Sequence, residues 1–377
     1  MFANRFSWGR PVVLLAVVAA LASCAASRDG PTMGEIFEGS VMRKGEAHII
    51  AVNRAVAQVA NRPVSLGFSH NLKAGAILNT DTIRPGDIVS INVFENVPEG
   101  LLTPETARNA IVADLQVDNA GNIFVPYAGT VRAAGKSPAA LRAELTRALD
   151  EQTPEPQVIV IREAGDAAQV SVTGGVNAQG VYPIDRGTQR LSGMIARAGG
   201  INIPLETAQV LVTRGNRQDS AWLQDIYSHP QLDIALRAGD RVLVKQDQRA
   251  FAVLGATGTR SRMTFDTQTI SAIDALAMAG GLDPLRADPK GVFIFRDELP
   301  EVASAILGGV QVVGDQRFVY VLDLTKPMGM FDARDFKIRD GDTIFVTEAS
   351  SVLWARQIAS LTGSLATASA VRSAAGD

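Results

Sequence analysis

An internal duplication with a period of 81 residues constrains the fold of this chain more than any other feature of its sequence. Val172-Thr173-Gly174-Gly175 recurs as Val253-Leu254-Gly255-Ala256, and Ala198-Gly199-Gly200 recurs as Ala279-Gly280-Gly281. Self-similarity at a fixed period indicates two copies of one supersecondary unit. Each copy predicts a strand, a glycine turn, a second strand, a short helix that ends at Gly-Gly, and then two further strands.

A Gly-Asp pair directly before an apolar strand is a second recurring signal. It occurs as Gly86-Asp87, Gly239-Asp240 and Gly341-Asp342. Glycine reaches the positive φ that a tight turn requires, and an Asp side chain bonds to the backbone of such a turn, so we predict three structural turns. Metal ligation is the alternative for these aspartates, but none has a cluster of carboxylates beside it in the sequence. We therefore predict no metal site.

The two copies differ between their Gly-Gly and Gly-Asp marks, where the second copy is 21 residues longer. The excess lies around Asp297 to Asp315 and predicts a loop or an extra helix. The short helices are expected at Leu191 to Ala198 and at Ile270 to Ala279. Before the repeats, residues 24–79 predict an irregular lead-in with one helix around Ala47 to Asn61.

The N-terminus predicts a secretory signal followed by a lipid anchor. Arg5 and Arg10 precede an apolar run, Pro11 to Ala22, that is shorter than the roughly 20 residues of a spanning helix and suits a signal peptide. Leu21-Ala22-Ser23-Cys24 then resembles the bacterial lipobox, in which the cysteine becomes the acylated first residue. Cys24 is the only cysteine, so its modification excludes a disulfide. The alternative is a plain signal peptide with a cysteine at its border.

The last segment, Ser350 to Val371, predicts an amphipathic helix long enough to cross a bilayer. Its 22 residues would span about 33 Å, against about 30 Å of hydrocarbon. One stripe is apolar and is expected to face lipid: Trp354, Ile358, Leu361, Leu365 and Ala368. A second stripe is polar and is expected to face a wet lumen: Arg356, Ser360, Gly363 and Thr367. A ring of such helices would keep the polar stripe out of lipid. A helix packed on the body, or lying flat on the membrane, is the alternative.

Composition and motifs argue against a nucleic-acid partner and against catalysis. The formal net charge of −3 supplies no basic field for nucleic acid. The sequence contains no P-loop, H-E-x-x-H, C-x-x-C or G-x-S-x-G motif. We expect the histidines, His48, His70 and His229, at the surface, and the carboxylate pair Asp297 and Glu298 in a solvated loop. We therefore predict no enzymatic activity and no cofactor.

Four segments together resemble the polysaccharide export domain. They are Thr82 to Val89, Val117 to Gly129, the helix Pro138 to Leu149 and the strand Pro156 to Val160. The two 81-residue copies resemble the β-grasp repeats that follow this domain, known as SLBB repeats. From Cys24 to about Ser369 the chain resembles the outer-membrane polysaccharide export lipoproteins.

The resemblance implies an α+β fold: a polysaccharide export domain, two β-grasp (SLBB) repeats and a C-terminal amphipathic transmembrane helix. It places the signal peptide at residues 1–23, the lipidated lead-in at 24–79, the export domain at 80–165, the repeats at 166–248 and 249–348, and the outer-membrane helix and tail at 349–377. The lipoprotein would sit in the outer membrane with most of its chain in the periplasm.

The resemblance also implies a function and partners. The subunits would form a homo-oligomeric ring, octameric in the best-known members, whose C-terminal helices build a helical barrel across the outer membrane. Capsular or exopolysaccharide would pass through it, delivered by an inner-membrane co-polymerase and tyrosine kinase. One alternative is a monomeric lipoprotein that binds a soluble saccharide through its repeats. An enzyme acting on polysaccharide is another, and the missing pair of catalytic acids disfavours it.

One loop departs from the family pattern. Asn96 to Ala110 matches the region that narrows the periplasmic mouth of the ring, yet it offers Leu101, Leu102 and Thr103 and no aromatic residue. We expect either an aliphatic gate or no narrowing at this loop; a variable hairpin loop is the alternative.

Overall fold

The computed structural model describes residues 30–61, 66–77, 81–95, 109–153, 155–166 and 168–352. The chain divides into two compact units: residues 64–247 form one, and residues 1–63 together with 248–377 form the other. The helices are α1 (Met33–Glu38), α2 (Arg54–Ala60), α3 (His70–Lys73), α4 (Pro138–Asp150), α5 (Leu191–Arg197), α6 (Leu223–Ser228), α7 (Ala272–Met278), α8 (Pro300–Ile306) and α9 (Pro327–Asp335), with 3-10 turns at Val41–Arg43, Leu205–Thr207 and Pro230–Leu232. The strands are β1 (Ala47–Ala51), β2 (Ile88–Phe94), β3 (Asn109–Gln116), β4 (Asn122–Val125), β5 (Gly129–Arg132), β6 (Gln157–Glu163), β7 (Gln169–Gly174), β8 (Gly180–Pro183), β9 (Ala208–Arg214), β10 (Arg217–Trp222), β11 (Arg241–Gln246), β12 (Ala250–Gly255), β13 (Ser261–Thr264), β14 (Ile270–Ser271), β15 (Ala287–Glu298), β16 (Gln316–Leu322), β17 (Lys337–Ile338) and β18 (Thr343–Glu348).

The first part of the 64–247 unit is a small antiparallel sheet covered by a helix. Its strand order is β3-β2-β6, and the hairpin β4–β5 stands beside it as a two-stranded sheet. Helix α4 begins where the Ser137 hydroxyl accepts a hydrogen bond from the backbone N–H of Ala140 at 3.2 Å. Its residues Leu141, Leu145 and Leu149 recur at helical spacing and are fully buried in the core of this domain.

The rest of the same unit is a five-stranded mixed sheet in the order β10-β9-β11-β7-β8, in which β7 and β11 run parallel. Helix α5 buries Leu191, Met194 and Ile195 in the core of this sheet. Part of the lead-in belongs to the same core, because Phe68 and Leu72 on either side of the start of α3 are buried in it.

The second unit contains a sheet with the strand order β16-β15-β18-β12-β13, in which β12 and β18 run parallel. This order repeats that of the first sheet strand for strand, and α7 takes the place of α5. The mixed helix and strand content confirms the α+β class. In addition, β1 extends the second sheet by pairing with β16 in parallel.

The lead-in is therefore structured, and the expectation of a helix from Ala47 to Asn61 is wrong for its first third. Ala47–Ala51 is a strand because it pairs with β16 and is covered on both faces: Ile50 packs on the main core, and Ile49 packs beside Phe293. Only Arg54–Ala60 is helical. Local sequence cannot report such pairing, since the partner lies more than 260 residues away.

The insertion in the second copy resolves into the extra helix. Helix α8 lies inside the expected range, and its Val302 and Ala303 are buried. Ala303 is part of the core beneath the second sheet. The inserted residues therefore add to the hydrophobic core of the repeat.

Candidate functional site

Each Gly-Asp turn has the same internal geometry. The glycine φ is 88° at Gly86, 81° at Gly239 and 83° at Gly341. The aspartate that follows is buried, and its carboxylate accepts a hydrogen bond from the backbone N–H three residues earlier. The nitrogen–oxygen distances are 2.8 Å at Asp87, 2.8 Å at Asp240 and 2.7 Å at Asp342. The carboxylate thus takes up a backbone donor that the turn would otherwise leave buried.

An arginine from a neighbouring strand binds each of these carboxylates. Arg214 binds Asp240 through Nε at 2.9 Å and Nη2 at 2.6 Å, and Arg296 binds Asp342 through Nε at 2.8 Å and Nη2 at 2.6 Å. Arg162 donates from Nε to Asp87 at 2.6 Å. A buried carboxylate needs such a partner because an uncompensated charge in the interior is costly. The carboxylates are therefore engaged in structural ion pairs.

Sequence reasoning missed these arginines, although a signal was present. Arg214 lies at the end of β9, and Arg296 lies near the end of β15, the matching strand of the second copy. The two are 82 residues apart, one out of step with the 81-residue period. The pairing register explains their common role, because Thr213 lies opposite Arg241 and Phe295 opposite Thr343.

A buried ionic cluster surrounds the third turn, and it overturns the expectation that Glu298 lies in a solvated loop. Glu298 is 0% exposed at the end of β15. Its carboxylate accepts hydrogen bonds from Tyr320 Oη at 2.7 Å and from Arg339 Nη1 at 2.8 Å. The other arginine of the cluster, Arg296, lies with its guanidinium 4.8 Å from the Phe336 ring centroid. Only Asp297, the neighbour of Glu298, is exposed as expected.

The cluster changes the protonation behaviour of its members in ways that follow from burial and charge. Burial raises the pKa of the Tyr320 hydroxyl, and the adjacent Glu298 carboxylate raises it further. Burial alone would lower the pKa of the Arg296 guanidinium, but the hydrogen bond and charge of Asp342 raise it instead. Both groups therefore keep their protons throughout the physiological range, which suits a structural role.

A polar cleft of about 720 Å³ opens within the 64–247 unit. Its charged lining residues are Asp81, Arg162, Glu163, Asp185, Arg186 and Arg197. At its rim the exposed side chains of Arg186 and Asp81 form an ion pair at 2.8 Å. The described lining contains guanidinium and carboxylate groups and no serine, cysteine or histidine. Such a lining can form hydrogen bonds to polar molecules but carries no nucleophile with a base beside it.

The histidines are separated, as the sequence suggested, but they are not all at the surface. His70 and His229 are exposed, whereas His48 is half-buried on β1 with its ring 5.2 Å from that of Phe318. Within the described ranges, no group of three or more His, Cys, Asp or Glu side chains could hold a metal ion.

Several predicted functional residues lie outside the part of the chain that the structure describes. These are Cys24, the loop residues Leu101, Leu102 and Thr103, and both stripes of the C-terminal helix from Trp354 to Ala368. Residues 350–352, the last described, have helical backbone. None of the described helices is both long and apolar enough to cross a membrane.

Known families and proteins match most of this architecture. Residues 78–162 match the family described as polysaccharide biosynthesis/export protein, and residues 168–244 match the SLBB domain. The Vi polysaccharide export protein of Salmonella typhi is 31% identical over 271 residues, which cover 71% of this chain and 74% of that protein. The capsule polysaccharide export outer membrane protein CtrA of Neisseria meningitidis serogroup B is 26% identical over 93% of both chains. The EPS I polysaccharide export outer membrane protein EpsA of Ralstonia solanacearum is 30% identical over 73% of this chain and 74% of that protein.

The fold and the matches together define an export domain followed by β-grasp repeats. The second repeat, although outside the matched ranges, has the strand order of the first. The chain belongs to the family of polysaccharide export outer membrane proteins.

Proposed function

We propose that the chain is one subunit of an oligomeric outer-membrane channel that carries capsular or exopolysaccharide from the periplasm to the cell surface. The observation that supports this most is the order of its parts: an export domain and two like-folded repeats, in a chain similar to named polysaccharide export proteins over most of their length. The subunit has no catalytic role in this proposal, because transport breaks no bond of the polymer.

The membrane-crossing part of the proposal rests on the last residues of the chain. The described body ends in helical backbone at residues 350–352, directly before the apolar stripe that begins at Trp354. In a ring, the stripe through Trp354 and Leu361 would face lipid, and the stripe through Arg356 and Thr367 would face the lumen. The ring is proposed as a homo-oligomer, with eight subunits as the working number.

The N-terminal part of the proposal attaches the same subunit to the inner leaflet of the outer membrane. The acylated Cys24 would carry more than one acyl chain, which is enough for stable attachment. The body would then project into the periplasm, where an inner-membrane co-polymerase and tyrosine kinase would deliver the polymer. The loop with Leu101, Leu102 and Thr103 is proposed to line the periplasmic mouth.

Deleting residues 350–377 tests the channel directly. We expect surface polysaccharide to disappear while the shortened protein still accumulates as a folded periplasmic subunit, because the described cores end before this segment. Surface polysaccharide is measured by antibody or lectin staining of intact cells, and folding by protease resistance of the body. Export that survives the deletion would sink the barrel model.

Particle mass separates the channel from the monomeric saccharide-binding lipoprotein, for which the polar cleft is the candidate site. In detergent, the channel predicts a ring several times the mass of the 39.9 kDa chain, with a central cavity in top views. Light scattering coupled to size exclusion, and imaging of single particles, give the two readouts. A monomer of about 40 kDa favours the binding lipoprotein.

A further inference from the structure

The hairpin β4–β5 of the export domain presents two aromatic rings to solvent. Phe124 is 65% exposed and Tyr127 is 53% exposed. The strands alternate as a half-buried sheet should: Ile123, Val125 and Val131 point into the core. The core therefore has no need of either ring, and both remain available for a ligand.

The backbone at Tyr127 gives independent reason to ask what the ring does. Tyr127 follows Pro126 in the turn of the hairpin and has a φ of +64°. Glycine or asparagine is the usual residue in this conformation, and a bulky residue there is a genuine outlier. Of the described residues with positive φ, Tyr127 is the single aromatic. The chain thus accepts a strained turn in order to place a ring that its own fold does not bury.

The neighbours of Phe124 indicate the chemistry of the ligand. Thr130 lies opposite Phe124, and Arg132 lies opposite Asn122, so these side chains share the exposed face of the hairpin. The face joins a flat apolar ring to a hydroxyl, an amide and a guanidinium. A sugar ring is complementary to such a face, because its C–H bonds pack on an aromatic ring while its hydroxyl or carboxylate groups accept and donate hydrogen bonds.

We propose that the hairpin face formed by Asn122, Phe124, Tyr127, Thr130 and Arg132 is a contact site for a glycan chain. This inference rests on the proposed function, since the glycan would be the exported polymer, and it adds where on the subunit the polymer is touched. In a ring, each subunit would contribute one such face. Conduction requires contacts that are favourable enough to bind and weak enough to release, and a single exposed platform on each subunit meets that requirement.

Affinity electrophoresis of the detergent-solubilised full-length protein tests the site. Native gels are cast with rising concentrations of the surface polysaccharide purified from the cells that make the protein, and the dissociation constant is taken from the retardation. We expect Tyr127→Gly and Phe124→Thr each to weaken retention about three- to tenfold, the range that one aromatic contact supplies. Tyr227→Ala is the matched control, because it removes a ring of similar exposure, 51%, from helix α6.

Tyr127→Gly also separates ligand binding from folding. Glycine relieves the left-handed strain, so the thermal midpoint of this variant should stay at or rise above that of the wild type while its retention falls. A role in holding the fold would instead lower both. Hence Tyr127→Gly keeps the test valid even if Phe124→Thr folds poorly.

Three results would overturn the site. They are a wild-type protein that the polymer does not retard, ring variants retarded as strongly as the wild type, and a control that loses as much retention as they do. Loss of surface polysaccharide by Tyr127→Gly with unchanged retention would also overturn it, and would point to a protein partner. The proposed channel fails separately, through the residue 350–377 deletion, so the two failures are distinguishable.

Discussion

At the scale of single residues, the stability of the molecule depends on charges that are hidden from water. Asp87, Asp240 and Asp342 are 1–2% exposed, and each is compensated by one arginine from the adjoining strand. Removing one partner of such a pair leaves a buried charge uncompensated and costs about 3–5 kcal/mol, whereas an exposed pair contributes about 0–1 kcal/mol. Burial, rather than the number of ion pairs, therefore decides which arginines matter.

Arg214→Met should lower the free energy of unfolding of the 64–247 unit by about 3–5 kcal/mol, because Asp240 stays buried without its partner. Arg186→Met removes an arginine whose side chain is 82% exposed in its pair with Asp81, and should cost about 0–1 kcal/mol. Denaturant unfolding of both variants, followed by circular dichroism, measures the difference. Equal losses would mean that the buried pair adds nothing beyond a surface contact.

The residues of the turns were predictable only on one side of each pair. Gly239 and Asp240 follow from turn chemistry, which is local in sequence. Arg214 does not, because its role depends on strand register, and nothing in the residues around it distinguishes it from a surface arginine. Glu298 was misassigned for the same reason: its three hydrogen-bonding and charge partners come from β15, β16 and the turn before β18.

At the scale of elements, the helices of the two repeats occupy the same place but begin differently. Helix α7 begins with a capping box, in which the Ser271 hydroxyl accepts from Asp274 N–H at 3.2 Å and the Asp274 carboxylate accepts from Ser271 N–H at 3.2 Å. Helix α5 has no side-chain cap from Arg190. Instead, the distant Asp233 accepts from the backbone N–H of Ser192 at 2.9 Å. The same requirement for backbone partners is met locally in one copy and at long range in the other.

Ser271→Ala should therefore destabilise the second repeat by about 1 kcal/mol at neutral pH. The hydrogen bond from Ser271 lowers the pKa of Asp274 below its ordinary value of 3.8. A carboxyl whose pKa is lowered by folding stabilises the native state above its ordinary pKa and loses that contribution as the pH falls. We expect the difference in thermal midpoint between variant and wild type to narrow below about pH 4. A difference that is constant from pH 7 to pH 3 would contradict the role of Asp274.

Sequence periodicity predicted the elements that are built from local pattern. The 81-residue offset located α5 and α7 to within a residue or two at each end. It could not locate β1, since Ala47–Ala51 has no alternation that marks a strand and is extended only because β16 offers an edge. Pairing over that distance is a property of the fold and leaves no trace in a short window.

At the scale of the whole molecule, the proposed anchor and channel are separable. Cys24→Ala should leave the body folded, since every described core lies beyond residue 30, and should move the protein from membranes to the soluble periplasmic fraction. Membrane fractionation and labelling with palmitate measure this. The Ser23→Ala variant keeps the cysteine and serves as the control. A Cys24→Ala protein that still takes up palmitate would contradict the lipid anchor.

The first described residue lies beside the strand that leads to the end of the chain. A Cβ added at Gly30 would come within 2.7 Å of the Phe345 ring on β18, and residues 350–352 follow directly after that strand. Six residues separate Cys24 from Gly30, a reach of at most about 20 Å. A body held to a bilayer at one point can swing in every direction, whereas one held at two nearby points can turn only about the line between them. The acyl group would thus restrict the tilt of each last helix against the membrane normal, and identical tilt is what lets identical neighbours close a ring.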